Sequence, residues 1–493
     1  MLFISTRGNS EKVSASKAIT TGIAPDGGLY VPESFPKVTL EELKNMGQMD
    51  YAERAAFVLG KYLTEYNYEQ LVNACKNAYA KFDGDPAPIV KLDEDEFVLE
   101  LYHGPTHAFK DMALTVLPYL LKEGCKLNGV KENVLILTAT SGDTGKSALE
   151  GFRDNEGVKI MVFYPSEGVS AMQKLQMTTQ LGDNVNVCAV KGNFDDCQSA
   201  VKRIFNDSAT RELIKENGYV FSSANSINFG RLAPQIAYYF SAYSDLAEVG
   251  EIEYGEKVNF CVPTGNFGNI LACYYAMQMG LPVGKLICAS NKNNVLTDFF
   301  NTGVYDIKRE FYKTTSPSMD ILISSNLERL IFEISSRDAS LTASRMKDLV
   351  ENGSYKITDK EKQDLNKIFY AGFATEEETV ETISLYFEEL DYAVDTHTAV
   401  GLKVCGDFKE KFGEEQKVVC LSTASPYKFP TDVLKAITGK TYSDAFKACQ
   451  VLSDKSAMPI PESLKNLTEL EIRFNKVSER ENILQEVVNF IKK

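Results

Sequence analysis

No stretch of the 493-residue chain approaches the ~18 continuous apolar residues that a membrane-spanning helix needs. Residues 1–8 (MLFISTRG) lack a basic segment followed by an apolar one, so no signal peptide is expected. Basic residues are in deficit, with 53 Lys and Arg against 68 Asp and Glu for a net charge of −15, and no long basic run occurs. That balance argues against nucleic acid or an anionic membrane surface as a partner. It leaves small anionic ligands open, because local donors bind those. Tryptophan is absent, and no function attaches to that. There are three histidines, and the ten cysteines are scattered singly without a CxxC pair, so no metal site is expected. Several cysteines lie inside apolar runs, as Cys261 in VNFCVP and Cys420 in VVCLS, which suits buried reduced thiols of a cytoplasmic protein.

What is present is ordinary for a soluble globular chain: 44% hydrophobic and 25% charged residues. The length suggests about three domains, or two large ones. Residues 1–95 read as a separate N-terminal unit. It holds a turn-rich segment (TTGIAPDGGLYVP, 20–32), a helix over 50–63 and a plausible linker at 83–88 (DGDPAP). From there strands and helices alternate. NVLILTA (133–139), VKIMVFYP (158–165), VNVCAV (185–190), KVNFCVP (257–263), KLICAS (285–290) and KVVCLS (417–422) are continuous apolar runs, as strands buried on both faces require. Repeated strand–loop–helix–strand units imply an α/β fold with a parallel sheet covered on both faces. The pattern weakens between 300 and 400, and the last forty residues read as a helical coda. In such folds ligands lie beyond the carboxyl ends of the strands, which directs attention to the loops there.

Three loops carry chemistry. Thr264-Gly265-Asn266-Phe267-Gly268-Asn269 joins a buried strand to a helix, so glycines and unpaired N–H groups at a helix start suit a phosphate. A plain tight turn remains the alternative, and the dinucleotide fingerprint GxGxxG is not met. Thr140–Ser147 (TSGDTGKS) resembles a Walker A loop but has Thr140 where the first glycine belongs, so it suits a carboxylate or phosphate rather than a nucleoside triphosphate. Simple N-capping by Ser141, Asp143 or Thr144 is the alternative there. Lys110, in HGPTHAFKD ahead of the apolar helix MALTVLPYLLKEG, is flanked by Ala108, Phe109, Met112 and Ala113. Desolvation there would favour the free amine, a nucleophile. A solvated lysine at a helix end is the other reading.

HGPTHAFKDMAL (103–114) resembles the cofactor-lysine segment of the threonine synthases, pyridoxal-phosphate enzymes of fold type II. STRG (5–8), TGIAPDGGLYVPE (21–33), TATSGDTG (138–145), SSANSINFGRLAPQ (222–235), VPTGNFGN (262–269), SPSMDI (316–321), SSNLERL (324–330), DTHTAVG (395–401) and STASPYKF (422–429) are similar to that family's further blocks, in order. The resemblance implies two parallel-sheet α/β domains with the cofactor between them. A small N-terminal domain over 1–95 would precede a cofactor-binding catalytic region over 96–493.

Residue by residue, the resemblance implies that Lys110 holds pyridoxal 5'-phosphate as a Schiff base and shuttles protons once substrate displaces it. Gly265, Asn266, Phe267, Gly268 and Asn269 would cradle the cofactor phosphate, and Thr423 would bond the pyridine nitrogen, leaving it largely unprotonated. Ser141, Gly142, Asp143 and Thr144 would meet the substrate carboxylate and the cofactor ring, with Asp143 standing where much of the superfamily has Asn. Asn225, Ser226, Asn228 and Arg231 would lie at the substrate's phosphate end, with Lys146 a further cation. Two positions depart from the family pattern: Ser425, where His often follows STA, and Thr396, where Pro is usual.

The implied reaction is O-phospho-L-homoserine plus water to L-threonine plus phosphate. A phospho-lyase on the same scaffold, releasing 2-oxobutyrate, needs the same residues and remains the alternative. A non-catalytic relic of the fold is disfavoured by the intact Lys110, phosphate loop and Thr423. Analogy suggests a monomer or homodimer. A chain of net charge −15 that binds two phosphate groups should carry a locally positive pocket.

Overall fold

The structure, a computed structural model, describes residues 1–140, 142–166, 169–192, 194–413 and 417–492. Two sheets organise it. The larger has six strands in the order Phe369–Phe373, Val283–Ser290, Val258–Pro263, Val418–Ser422, Glu96–Glu100 and Ile89–Asp93. All neighbours are parallel except the last pair, an antiparallel hairpin. The smaller sheet is parallel throughout, ordered Val477–Ser478, Val185–Val190, Val158–Pro165, Asn133–Ala139 and Tyr219–Ser222. Val258–Pro263 and Val418–Ser422 are buried along their whole length, which explains why their sequences show no polar alternation.

At the N-terminus, Val13–Ser14, Leu2–Ser5 and Tyr30–Pro32 form a small antiparallel sheet, followed by the helices Tyr51–Tyr62 and Tyr68–Tyr79. The helix Phe229–Glu248, buried at every residue from Phe229 to Ser244, packs against both the N-terminal helix Tyr51–Tyr62 and the helix Gly268–Met279 of the larger sheet. Among the described residues no helix is long and apolar enough to cross a membrane.

Three sequence expectations change. The apolar helix after Lys110 is broken into Asp111–Leu114 and Leu117–Leu127, with Pro118 in the first turn of the second piece. Pro118 has no N–H to offer the Leu114 carbonyl, so the helix cannot run through. That carbonyl instead abuts Gly151 of a neighbouring helix, where any Cβ would stand 2.2 Å from it. The last forty residues are not simply helical. After Ser456 the chain crosses to the smaller sheet, where Arg473 donates to the carbonyls of Gln180 and Gly182 and Val477–Ser478 adds an edge strand. Only Ile483–Ile491 is a longer helix there, and it closes the cluster around Phe163 and Cys188. The weakly patterned stretch from 300 to 400 is largely helical and supplies the edge strand Phe369–Phe373 of the larger sheet.

Candidate active site

Four loops meet between the sheets, each leaving the carboxyl end of a parallel strand. Residues 101–110 follow Glu96–Glu100, 140–142 follow Asn133–Ala139, 264–267 follow Val258–Pro263, and 423–425 follow Val418–Ser422. This is where ligands bind in open α/β sheets.

The Lys110 loop is sutured to the 423–425 loop. The Phe109 N–H donates to the Thr423 carbonyl at 2.9 Å and the Ser425 N–H to the His107 carbonyl at 3.1 Å. Asp111 locks the turn by accepting from the Thr106 N–H (2.7 Å), the Thr106 hydroxyl (2.6 Å) and the Ser147 hydroxyl (2.5 Å). Lys110 therefore starts a four-residue helix with its side chain buried. Its Nζ lies 3.4 Å from the Ser318 hydroxyl and 3.8 Å from Oδ2 of Asp143. Burial holds this amine below the usual lysine range. Arg231 and Lys428 push the same way, and Asp143 and Asp111 oppose them.

Asp143 opens the helix Asp143–Phe152. Its Oδ1 takes Nζ of Lys428 at 3.0 Å and Nε2 of Gln173 at 3.0 Å, while its Oδ2 accepts from Ser318 at 3.4 Å. Burial alone would raise this carboxyl, but Lys428 and Lys110 overcome it and hold it well below the usual carboxylate range. Ser318 is itself anchored, its N–H donating to Nε2 of His397 at 3.2 Å. The other ring nitrogen of that histidine pairs with Asp395 at 2.7 Å.

The loop 264–269 has the shape of an anion cradle. Phe267 takes a left-handed conformation (φ 64°) to cap the helix Gly268–Met279, and a Cβ at Gly265 would stand 2.7 Å from the Ser318 carbonyl. Ser324 and Asn326 tie down the carbonyls of Gly265 and Asn266, and the N–H groups of a helix start, which lack intrahelical acceptors, suit an anion there. Asn269 accepts from the hydroxyls of Tyr238 and Tyr239, while its buried Nδ2 has no acceptor among the described residues. Arg231 donates to the Ala224 carbonyl at 2.9 Å and leaves its buried Nε equally unpartnered. Burial lowers this guanidinium to about 10. Thr423 is buried, and its hydroxyl makes no hydrogen bond among the described residues. These idle donors, beside a desolvated amine, fit pyridoxal phosphate.

Other expected residues fall differently. Asn228 is fully buried, with both Nδ2 hydrogens donated to the carbonyls of Ile19 and Ser223 and Oδ1 accepting from the Gly230 N–H, so no donor remains for a phosphate. The Ser226 hydroxyl accepts from Asn326, and Asn225 and Thr144 are half-buried. Gly142 caps the Asp143 helix, and Ser141 lies outside the described residues. Lys146 is not a free cation, since it contacts Glu150 at 3.3 Å and Gln180 at 2.5 Å. Ser425 caps the turn Pro426–Lys428, and Thr396 donates to the Thr315 carbonyl.

Sequence reasoning missed Lys428, Ser318, His397, Gln173 and Gln176. The available signal for the first was a lysine inside the otherwise apolar SPYKFP. Away from the site, the sulfurs of Cys261, Cys405 and Cys420 lie within 4.8 Å of one another, the one such group among the described residues. A cation there would need three thiolates in an apolar core, and burial keeps Cys261 and Cys405 protonated. They serve as packing groups.

The parallel-sheet architecture, the buried lysine and the anion cradle define a pyridoxal-phosphate-dependent enzyme of fold type II. Residues 83–349 match the family described as pyridoxal-phosphate dependent enzyme. Residues 2–79 match the threonine synthase N terminus, and residues 398–491 the threonine synthase C-terminal family. The chain belongs to the threonine synthase family. It is 39% identical to threonine synthase of Pseudomonas aeruginosa over 446 residues, 89% of this chain and 91% of that one. It is also 39% identical to threonine synthase-like 1 of Homo sapiens over 482 residues, covering 93% of this chain but only 64% of that longer protein. The crystal structure of pyridoxal-phosphate-bound threonine synthase from Brucella melitensis superposes with a TM-score of 0.88 at 37% identity, covering 100% of this chain and 99% of that one.

Proposed function

We propose that the chain converts O-phospho-L-homoserine and water to L-threonine and phosphate. The observation that carries this reading is the buried Lys110 amine, held below its ordinary range with Arg231 beside it. Lys110 would bear the cofactor, Gly265 to Asn269 its phosphate, and Thr423 its ring nitrogen. Bound there, pyridoxal phosphate supplies an electron sink for the charge left at the substrate Cα. Lys110, as the free amine, would take the Cα proton, give it up, and then take one from Cβ. A buried amine of depressed pKa suits such repeated exchange. A proton would return to Cγ as phosphate departs, water would give its hydroxyl to Cβ and its proton to the phosphate, and a proton would return to Cα. Arg231, with Nε unspent, would meet the substrate phosphate.

Around these groups the cations Lys110, Lys428 and Arg231 face the carboxylates Asp143 and Asp111. Even with Lys110 as a neutral amine, Lys428 and Arg231 match the two carboxylates, so inside a chain of net charge −15 the site is locally far less negative than the rest, which supports binding of anionic groups. We also propose a cytoplasmic location, supported by ten free cysteines, and a monomer or homodimer without nucleic-acid or membrane partners. The division between the N-terminal unit and the catalytic region is better placed in the loop 83–88 than at residue 95, because a cut at 95 would split the hairpin Ile89–Asp93 and Glu96–Glu100, which belongs to the larger sheet.

Incubation with O-phospho-L-homoserine and product analysis tests the reading. Threonine and phosphate are expected, and 2-oxobutyrate with ammonia would instead make the enzyme a phospho-lyase. Lys110→Ala should lose both the visible absorbance of the bound cofactor and turnover. Absorbance at full strength in that variant would refute the assignment of Lys110.

A further inference from the structure

Lys428 reaches the site from the turn Pro426–Lys428, three residues after the loop that begins at Thr423. It is 1% exposed. Its Nζ meets the Thr106 carbonyl at 3.1 Å, Oε1 of Gln176 at 2.6 Å and Oδ1 of Asp143 at 3.0 Å. Two hydrogen bonds and a close ion pair thus occupy this ammonium. Buried among these partners, Lys428 is turned to the protein itself rather than to a substrate or cofactor. Its product is the state of Asp143.

That carboxylate stands between two lysines. One oxygen belongs to Lys428 and Gln173, and the other is left to Ser318 at 3.4 Å and to Lys110 at 3.8 Å. We propose that Lys428 is a positioning residue, which holds Asp143 by its far oxygen and so keeps that carboxylate from pairing closely with the Lys110 amine. The proposal rests on Lys110 being the cofactor lysine.

The other charged groups around the pair leave this arrangement intact. Arg231 faces Lys110 and repels it, as Lys428 does. Asp111 attracts Lys110, but its oxygens are taken by Thr106 and Ser147. Near Lys428 stand His107, Lys146 and Asp111. Burial and the charge of Lys428 lower His107 to about 3, so it is neutral, and Lys146 is occupied by Glu150. Removing Lys428 would then act twice in one direction. Its repulsion of Lys110 disappears, and the full charge of Asp143 turns to Lys110. Both effects favour the protonated, unreactive amine.

The test is the pH dependence of Lys110 arylation by fluorodinitrobenzene in the full-length chain freed of cofactor, read by peptide mass spectrometry with surface lysines as controls. Lys428→Met should move the Lys110 midpoint up by one unit or more, slowing the reaction about tenfold below the midpoint while surface lysines are unchanged. Lys428→Arg, which keeps the charge, should restore most of the rate. An unshifted midpoint in folded Lys428→Met overturns the proposal. If that variant does not fold, Lys428→Gln, which removes the charge but keeps a donor for Thr106 and Gln176, takes its place: the same upward shift is expected, and an unshifted midpoint overturns the proposal. Failure of wild-type protein to develop cofactor absorbance at Lys110 would instead remove the functional reading beneath it. The two failures are thus separable.

Discussion

The amine of Lys110 and the carboxylate of Asp143 face each other at 3.8 Å, a separation too long for a hydrogen bond and short enough for strong coupling. The Ser318 hydroxyl fills the gap, 3.4 Å from each. A buried lysine and carboxylate in direct contact would form a pair that resists losing its proton. Held apart, they leave the lysine free to change state, as proton transfer demands.

Ser318→Ala tests that spacing. The lost contacts are long, so a net cost of about 1 kcal/mol is expected, which lowers kcat/KM by roughly three- to tenfold. Cofactor absorbance should persist, because Ser318 is not expected to hold the cofactor. Loss of cofactor from the variant would show that the serine has a binding role instead.

Much of this site was legible because its strands are buried on both faces. Asn133–Ala139, Val258–Pro263 and Val418–Ser422 stand out as unbroken apolar runs, and in a parallel sheet their carboxyl ends mark the ligand loops. The 264–269 loop is found that way, whereas Lys110 is singled out by the resemblance of HGPTHAFKDMAL to the family's cofactor-lysine segment, because the strand before it, Glu96–Glu100, carries a glutamate at each end and does not read as an apolar run. Lys428 stands out in neither way, because a lone lysine near a helix start reads as solvated. Its burial depends on Asp143 and Gln176, hundreds of residues away in sequence. Asn228 runs the other way: the family resemblance places it near substrate, while in the structure both its amide hydrogens are donated within the protein, one of them to Ile19 of the N-terminal unit. The helix break at Pro118 was readable from the missing N–H, yet the apolar periodicity on either side concealed it.

Gly265 and Gly268 separate steric from conformational demands in the phosphate loop. A Cβ at Gly265 meets the Ser318 carbonyl at 2.7 Å, whereas one at Gly268 meets its nearest neighbours at 3.4 Å. Gly265→Ala should therefore push the 316–319 turn off the loop and weaken cofactor retention on dialysis, far more than Gly268→Ala. Equal retention in the two variants would contradict the close approach of the turn.

Arg345 and Glu361 join two helices of the 300–400 region by a buried, bidentate pair at 2.9 and 2.7 Å. Arg345→Met strands the carboxylate and should destabilise the protein by about 3 kcal/mol in urea unfolding near neutral pH. Burial opposes ionisation of Glu361, but Arg345 and Thr358 prevail and lower its pKa. A depressed carboxylate contributes stability above its unfolded pKa and loses it as pH falls through the folded value. The gap between wild type and Arg345→Met should accordingly narrow in acid.

Glu333 obeys the reverse sign. Burial raises it to about 7, Arg337 opposes this only weakly from 3.7 Å, and its Oε1 has no partner. Folding thus favours the protonated acid. The benefit is complete below the unfolded pKa and disappears as pH rises through 7, where a charge must be held beside the buried rings of Tyr62 and Tyr275. Glu333→Gln cannot ionise, so it should stabilise the protein by about 2–3 kcal/mol at pH 8 relative to wild type and do nothing comparable at pH 5. Thermal or urea unfolding at the two pH values measures this directly. A variant less stable than wild type at pH 8 would mean that the ion pair with Arg337 outweighs the burial of the charge.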